Sequence, residues 1–221
     1  MTPVLDTLTV GDSPEAWARA GFRVESGCCR IASLRIDLSG RAAGGGIRSW
    51  GLRHLSDAVT GAAIDGLPTD VSTSDTAIAG ASHPNGVSGV DHLVVATPDC
   101  GRTVAALEAA GFEPRRGRLS KSHGTPLRQV FFWAGPTILE VIGPEEPAGD
   151  GPASFFGLAL VAEDLDFTAA WFGDRIGRPK QAVQPGRRIA TLRHKEIGIS
   201  IPLAVMSPHG SLPGSPPQVT G

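Results

Sequence analysis

What the chain lacks removes several classes of protein. No apolar run in the 221 residues approaches the roughly 18 needed for a membrane-spanning helix. The opening residues, Met1-Thr2-Pro3-Val4-Leu5-Asp6, carry neither the basic region nor the apolar block of a secretion signal. Cysteine is scarce: Cys28, Cys29 and Cys100 are an adjacent pair and one distant thiol, neither a zinc spacing nor a disulfide framework. A cytoplasmic location is therefore expected. Charge of one sign is lacking too, since 20 Lys and Arg against 22 Asp and Glu leave a net charge of −2. Neither nucleic acid nor a membrane surface is an expected partner. Gly44-Gly45-Gly46 is no phosphate loop, because the lysine and the following helix are missing.

What remains is an ordinary globular composition, with 41% hydrophobic and 19% charged residues. The length allows one large domain or two small ones with a sizeable core. Residues 5–12 alternate as a short strand, and Ser13-Pro14-Glu15 reads as a helix start that ends before Gly21. Residues 30–38 and 47–52 follow as strands. This gives a domain plan of a degenerate N-terminal module over residues 1–56 and a Gly/Ser/Ala-rich linker over 57–88, with a short strand near 62–64.

Residues 89–144 are the most informative stretch. His92 stands in the apolar run Gly89-Val90-Asp91-His92-Leu93-Val94-Val95-Ala96, and Glu140 in the run Thr137-Ile138-Leu139-Glu140-Val141-Ile142. By strand alternation His92 shares a face with Val94, and Glu140 shares one with Ile138 and Ile142. Between the two runs lie a helix stopped at Gly111, a basic loop over residues 115–128, and a strand Gln129-Val130-Phe131-Phe132-Trp133. The pattern then restarts after a Pro/Gly linker: His92-Leu-Val-Val-Ala-Thr-Pro-Asp99 aligns without gaps on Gly157-Leu-Ala-Leu-Val-Ala-Glu-Asp164. A helix over 167–176 and strands over 187–192 and 197–201 follow, and residues 207–221 read as a disordered tail.

A carboxylate on an apolar strand face is costly unless it is paired, hydrogen-bonded or metal-bound. Imidazole and carboxylate together suit Zn, Fe, Mn, Co or Ni. His92 as a hydrogen-bonded strand histidine is the structural alternative, and in a metal-free variant His92 and Glu140 hydrogen-bond a ligand, with Glu140 a base whose pKa is raised by its apolar setting. Arg128, Gln129, Phe131 and Trp133 are the candidate substrate contacts. For Trp133 and Trp171 a place in the core is the commoner alternative, as solvation is for the basic loop. Cys100, just inside a helix N-terminus, is a candidate for a lowered pKa, whereas Cys28 and Cys29 read as structural.

A tandem βαβββ repeat with His in a first strand and Glu in a last strand resembles the vicinal oxygen chelate superfamily, which includes glyoxalase I and extradiol dioxygenases. The resemblance covers residues 89–205 well and 4–54 loosely. It implies an α+β fold whose modules at 89–145 and 153–206 form a cupped half-barrel of mainly antiparallel strands. It also implies a divalent metal held by His92 and Glu140, and lyase, isomerase or dioxygenase chemistry on a small oxygenated or anionic molecule. Glu140 would be the catalytic residue. A metal-free protein that sequesters a small ligand is the alternative. The second module departs from the pattern, with Gly157 and either Ser200 or Ile201 at the ligand positions. A third ligand would have to come from waters, the linker or another chain, with Gln129 a candidate neighbour and His194 or His83 a remote one. In the N-terminal copy Thr7 and Ser49 or Trp50 stand there, and that odd module either packs on the barrel or seeks a second chain as a homodimer.

Overall fold

The computed structural model describes residues 1–42, 44–56, 62–72, 80–122 and 125–209. The first sheet is built from β1 (Val4–Val10), helix α1 (Pro14–Arg19), β2 (Val24–Glu25), β3 (Cys28–Ile31), β4 (Leu34–Leu38), β5 (Ile47–Arg53), β6 (Ala63–Ile64) and β7 (Leu67–Val71). The second takes β8 (Val87–Ala96), helix α2 (Cys100–Ala109), β9 (Pro114–Ser122), β10 (Thr125–Ala134), β11 (Thr137–Gly143), β12 (Ser154–Ala162), helix α3 (Leu165–Phe172), β13 (Lys180–Gln181), β14 (Arg188–Thr191) and β15 (Leu203–Met206). The fold is α+β, with two mixed sheets, no closed barrel among the described residues, and helices only as crossovers.

In the second sheet the order β13-β14-β15-β12-β8-β11-β10-β9 contains two βαβββ modules back to back. Each crossover helix returns the chain parallel to its first strand, so β8 pairs with β11 and β12 with β15. Such a crossover needs a helix that starts and stops cleanly. Asp99 caps α2 by accepting from Arg102 N at 3.0 Å, and Gly111 at φ 96° leaves it. The modules meet where β8 runs antiparallel to β12. Leu93 faces Leu158, His92 faces Ala159 and Val94 faces Gly157, a register symmetric about Leu93 and Leu158. That symmetry makes Gly157 the counterpart of His92, as the gapless alignment implies.

The first sheet, in the order β2-β3-β4-β1-β5-β7-β6, repeats this plan. Its first module is complete, with β4 parallel to β1. Its second is reduced to β5, β6 and β7, with β7 parallel to β5. Residues 57–88, read as a linker, therefore contain two strands, joined by the Asp65-Gly66 turn whose positive φ values of 47° and 86° suit a tight hairpin. Residues 57–61 and 73–79 lie outside the described residues. Three further readings change. Residues 115–122 and 125–128 belong to the β9–β10 ladder rather than a loop, and residues 123–124 lie outside the described residues. The closing strand of the last module is β15, while Ile197, Ile199 and Ile201 are buried in a turn that precedes it. Ser207 is tied to Arg187 and Arg188 through backbone and side chain, and residues 210–221 of the expected tail lie outside the described residues.

One continuous core joins the sheets. Trp50 of β5 stacks on Phe112 at 5.9 Å and meets Phe155 of β12 edge-on at 5.3 Å. The Asp65 turn is clasped by Arg102, whose Nε donates to Asp65 Oδ1 at 2.7 Å.

Candidate active site

His92 and Glu140 meet on the cupped face of the second sheet. β8 and β11 are parallel neighbours in which His92 lies opposite Ile138 and Val94 opposite Glu140, so both side chains leave the same face. His92 Nε2 is 3.2 Å from Glu140 Oε2. The carboxylate is 7% exposed, a burial that only partners make tolerable. Its other oxygen accepts from Gln129 Nε2, and Gln129 Oε1 in turn accepts from Arg118 Nε at 2.7 Å. The β9–β10 ladder sets Arg118 opposite Gln129.

The residue behind His92 was not foreseen as part of the site. Alternation would send Asp91 to the opposite face, but the pairing steps from His92–Ala159 to Val90–Leu160 and leaves Asp91 as an extra residue. This β-bulge re-aims its side chain. Asp91 Oδ2 accepts from His92 Nδ1 at 2.7 Å, and Oδ1 accepts from Arg187 Nη1 at 2.5 Å. Arg187 is only 1% exposed, and its other donors reach Gln184 and the Ser207 carbonyl. Burial by itself raises the Asp91 carboxyl, yet the hydrogen bonds from His92 and Arg187 outweigh it and hold the group below its ordinary value. The proton on Nδ1 fixes the imidazole so that Nε2 faces Glu140. Two acceptors facing each other at 3.2 Å repel unless a proton or another cation lies between them.

Above the pair opens a cavity of about 350 Å³, within the span of small-molecule pockets, about 300–1,000 Å³. Arg116, Arg118 and Lys180 give it positive charge, and Phe131, Ile189 and Met206 give it an apolar wall. The guanidiniums of Arg116 and Arg118 lie 4.8 and 5.3 Å from the Phe131 ring, which braces them. Of the four residues read as candidate substrate contacts, Gln129 and Phe131 line this cavity, and Arg128 and Trp133 do not. Arg128, on the opposite face of β10, lines a shallow surface with Val104 and Glu108. Trp133 is 43% exposed, carries Arg115 at 4.2 Å over its ring, and borders a neighbouring cavity with Asp91 and Arg187. The core role for Trp133 and Trp171 is overturned, since Trp171 is also exposed.

Among the described residues the donor set does not complete a metal site. Among the described residues no three His, Cys, Asp or Glu side chains converge on one point. The last-module counterpart of Glu140 is Ala204, which lies opposite Ala159 in β15, rather than Ser200 or Ile201. His83 accepts from Arg23 N, His194 is bound to Ile199 O, and neither lines the cavity. Gly157 has a structural reason to be glycine. A Cβ there would fall 2.4 Å from the Pro202 carbonyl oxygen, the same oxygen that accepts from Leu158 N. Gly157→Ala should therefore lower unfolding stability by about 1–3 kcal/mol, measured by chemical denaturation, and Gly157→His should add that cost without gaining a metal. Cys100, far from having a lowered pKa, is raised by burial, and Cys29 is pushed up to about 12.

No protein-family model and no curated protein matches the chain. Solved structures do. The chain is similar to a variant of 4-hydroxymandelate synthase from Streptomyces coelicolor, at 10% identity over 95% of this chain and 93% of that one, with a TM-score of 0.61. An extradiol ring-cleaving dioxygenase from B. fuscum matches at 12% identity over 100% and 75%, with a TM-score of 0.59. A fusion of a xylose isomerase-like TIM barrel with a 4-hydroxyphenylpyruvate dioxygenase matches at 12% identity over 95% of this chain and 50% of that one, with a TM-score of 0.58. Likeness at this identity speaks to architecture, and the chain has the fold of the vicinal oxygen chelate superfamily.

Proposed function

We propose that this protein binds a small anionic, oxygen-bearing molecule in the second-sheet cavity and exchanges a proton with it through His92 and Glu140. The observation that carries this reading is the 3.2 Å approach of Nε2 to Oε2 on the floor of a cavity rimmed by Arg116, Arg118 and Lys180. The cations would hold a carboxylate or similar group of the ligand. The Asp91–His92–Glu140 chain would then take a proton from an adjacent carbon or oxygen, with Asp91 stabilising the imidazolium that forms. The solved neighbours are named for chemistry on small oxygenated molecules, which supports the substrate class.

The test is solvent exchange. The protein in D2O is given a panel of 2-oxo and 2-hydroxy carboxylates, and proton NMR follows loss of the C3 signal of the former and the C2 signal of the latter. Exchange above the buffer rate, suppressed in Arg118→Ala through weaker binding, is the expected result. A ligand that shifts the His92 signals without exchange would favour sequestration. A panel that leaves those signals unmoved would sink both readings.

A divalent metal is the second reading, because two cis ligands at about 2.0–2.2 Å from one ion stand about as far apart as Nε2 and Oε2 do. With His92 and Glu140 as its protein donors, such an ion would be weakly held. Metal retained at one equivalent by the purified protein, and lost in both His92→Ala and Glu140→Ala, would establish it.

A further inference from the structure

The cupped face of the first sheet has its own pocket. Register carries the site positions across: β1 pairs with β5 as β8 does with β12, with Asp6 bulged as Asp91 is. Thr7 then stands at the place of His92. Asp37, opposite Thr9 in β4, stands at the place of Glu140, so the N-terminal counterpart is Asp37 and not Ser49 or Trp50. No imidazole faces that carboxylate. Arg35 Nε donates to it at 2.7 Å instead.

Beyond Arg35 lies a cavity of about 220 Å³, walled by Arg23, Arg30, Arg35, Glu25 and Cys28. β3 sets Arg30 directly opposite Arg35, so two guanidiniums leave one face at neighbouring positions. Arg23 and Arg30 make no ion pair among the described residues. Arg35 is matched by Asp37, and Glu25 adds a carboxylate to the wall, so the cations of Arg23 and Arg30 leave the space with an excess of positive charge that attracts an anion. A monocarboxylate is satisfied by one guanidinium fork, whereas a phosphate group brings about −1.5 to −2 charges and three acceptor oxygens that several forks can share.

We propose that this pocket binds the phosphate group of a small molecule, anchored by Arg23, Arg30 and Arg35. The site is separate from the His92–Glu140 cavity and stands or falls without it. Inorganic phosphate titrated into the full-length protein at low salt, followed by calorimetry, is the test. Arg23→Gln/Arg30→Gln should weaken phosphate binding at least tenfold, and Arg193→Gln, on the surface beside Glu196, should leave it unchanged. Acetate should bind at least tenfold more weakly than phosphate. Thermal unfolding checks that the first double variant is folded. If it is not, amide NMR of the wild type replaces it: phosphate should shift the signals of Ser26 and Cys28 and spare that of His92. Binding that survives in Arg23→Gln/Arg30→Gln, shifts confined to His92, acetate binding as tightly as phosphate, or no phosphate binding would each overturn the proposal.

Discussion

Arg187→Ala should cost about 3–5 kcal/mol of unfolding free energy, because it strands the Asp91 carboxylate in the interior without its partner. Both side chains are 2% exposed, and Nη1 lies 2.5 Å from Oδ1. Typical domains hold only about 5–15 kcal/mol in total, so this one truncation removes a large share. Chemical denaturation followed by circular dichroism measures it. The double variant Asp91→Asn/Arg187→Met should be milder than Arg187→Ala alone, since it leaves no buried charge unmatched. The pair also sets a pH dependence. The folded Asp91 carboxyl titrates below its ordinary 3.8, where the hydrogen bonds from His92 and Arg187 hold it against burial. Folding therefore gains from its ionised form at pH above 3.8, and that gain drains away as acid carries the pH down through the folded value. Asp91→Asn should flatten the stability curve in that acid window. A wild type and Asp91→Asn with parallel acid profiles would show that the pair contributes nothing of the kind.

The central strands were legible because their chemistry is local. Apolar runs of strand length with one polar interruption put His92 and Glu140 on β8 and β11, and the gapless alignment ends at Asp99 and Asp164, which cap the crossover helices. Asp91 was not legible as a site residue, because a bulge is a property of the pairing with β12 and not of the strand that carries it. An Asp-His dipeptide inside an apolar run was the available signal. Arg187 was unreadable for a similar reason: its partner lies 96 residues earlier. The basic stretch misled in the other direction. Arg116 and Arg118 look like solvated loop residues, yet β9 is the sheet's edge strand, where charged side chains are tolerated, and it curls them over Phe131. Ile197, Ile199 and Ile201 alternate like a strand but are buried in a turn, since periodicity reports burial and not pairing. The reduced second module of the first sheet escaped notice because β6 is two residues long and β7 five.

Glu140→Gln should reduce proton exchange by about 10²–10⁴-fold, the usual contribution of a positioned general base, while leaving ligand affinity within a few-fold of wild type. The substitution keeps the size of the side chain and an acceptor for Gln129 Nε2, which holds one of the carboxylate oxygens. It removes the negative charge that faces His92 Nε2 at 3.2 Å, so a proton arriving on the imidazole loses its nearest counterion on the cavity side. Asp91 remains behind the ring, already engaged by Arg187, and cannot replace that charge from the far nitrogen. Arg118→Ala should have the opposite profile. Its guanidinium belongs to the cationic rim and orients Gln129 through Oε1, so apparent affinity should fall at least tenfold with a smaller change in turnover. Measuring both variants against one exchanging ligand separates the two roles. If Glu140→Gln and Arg118→Ala lost affinity alike and kept the same turnover, the carboxylate would be a binding group, and the cavity would hold its ligand without changing it.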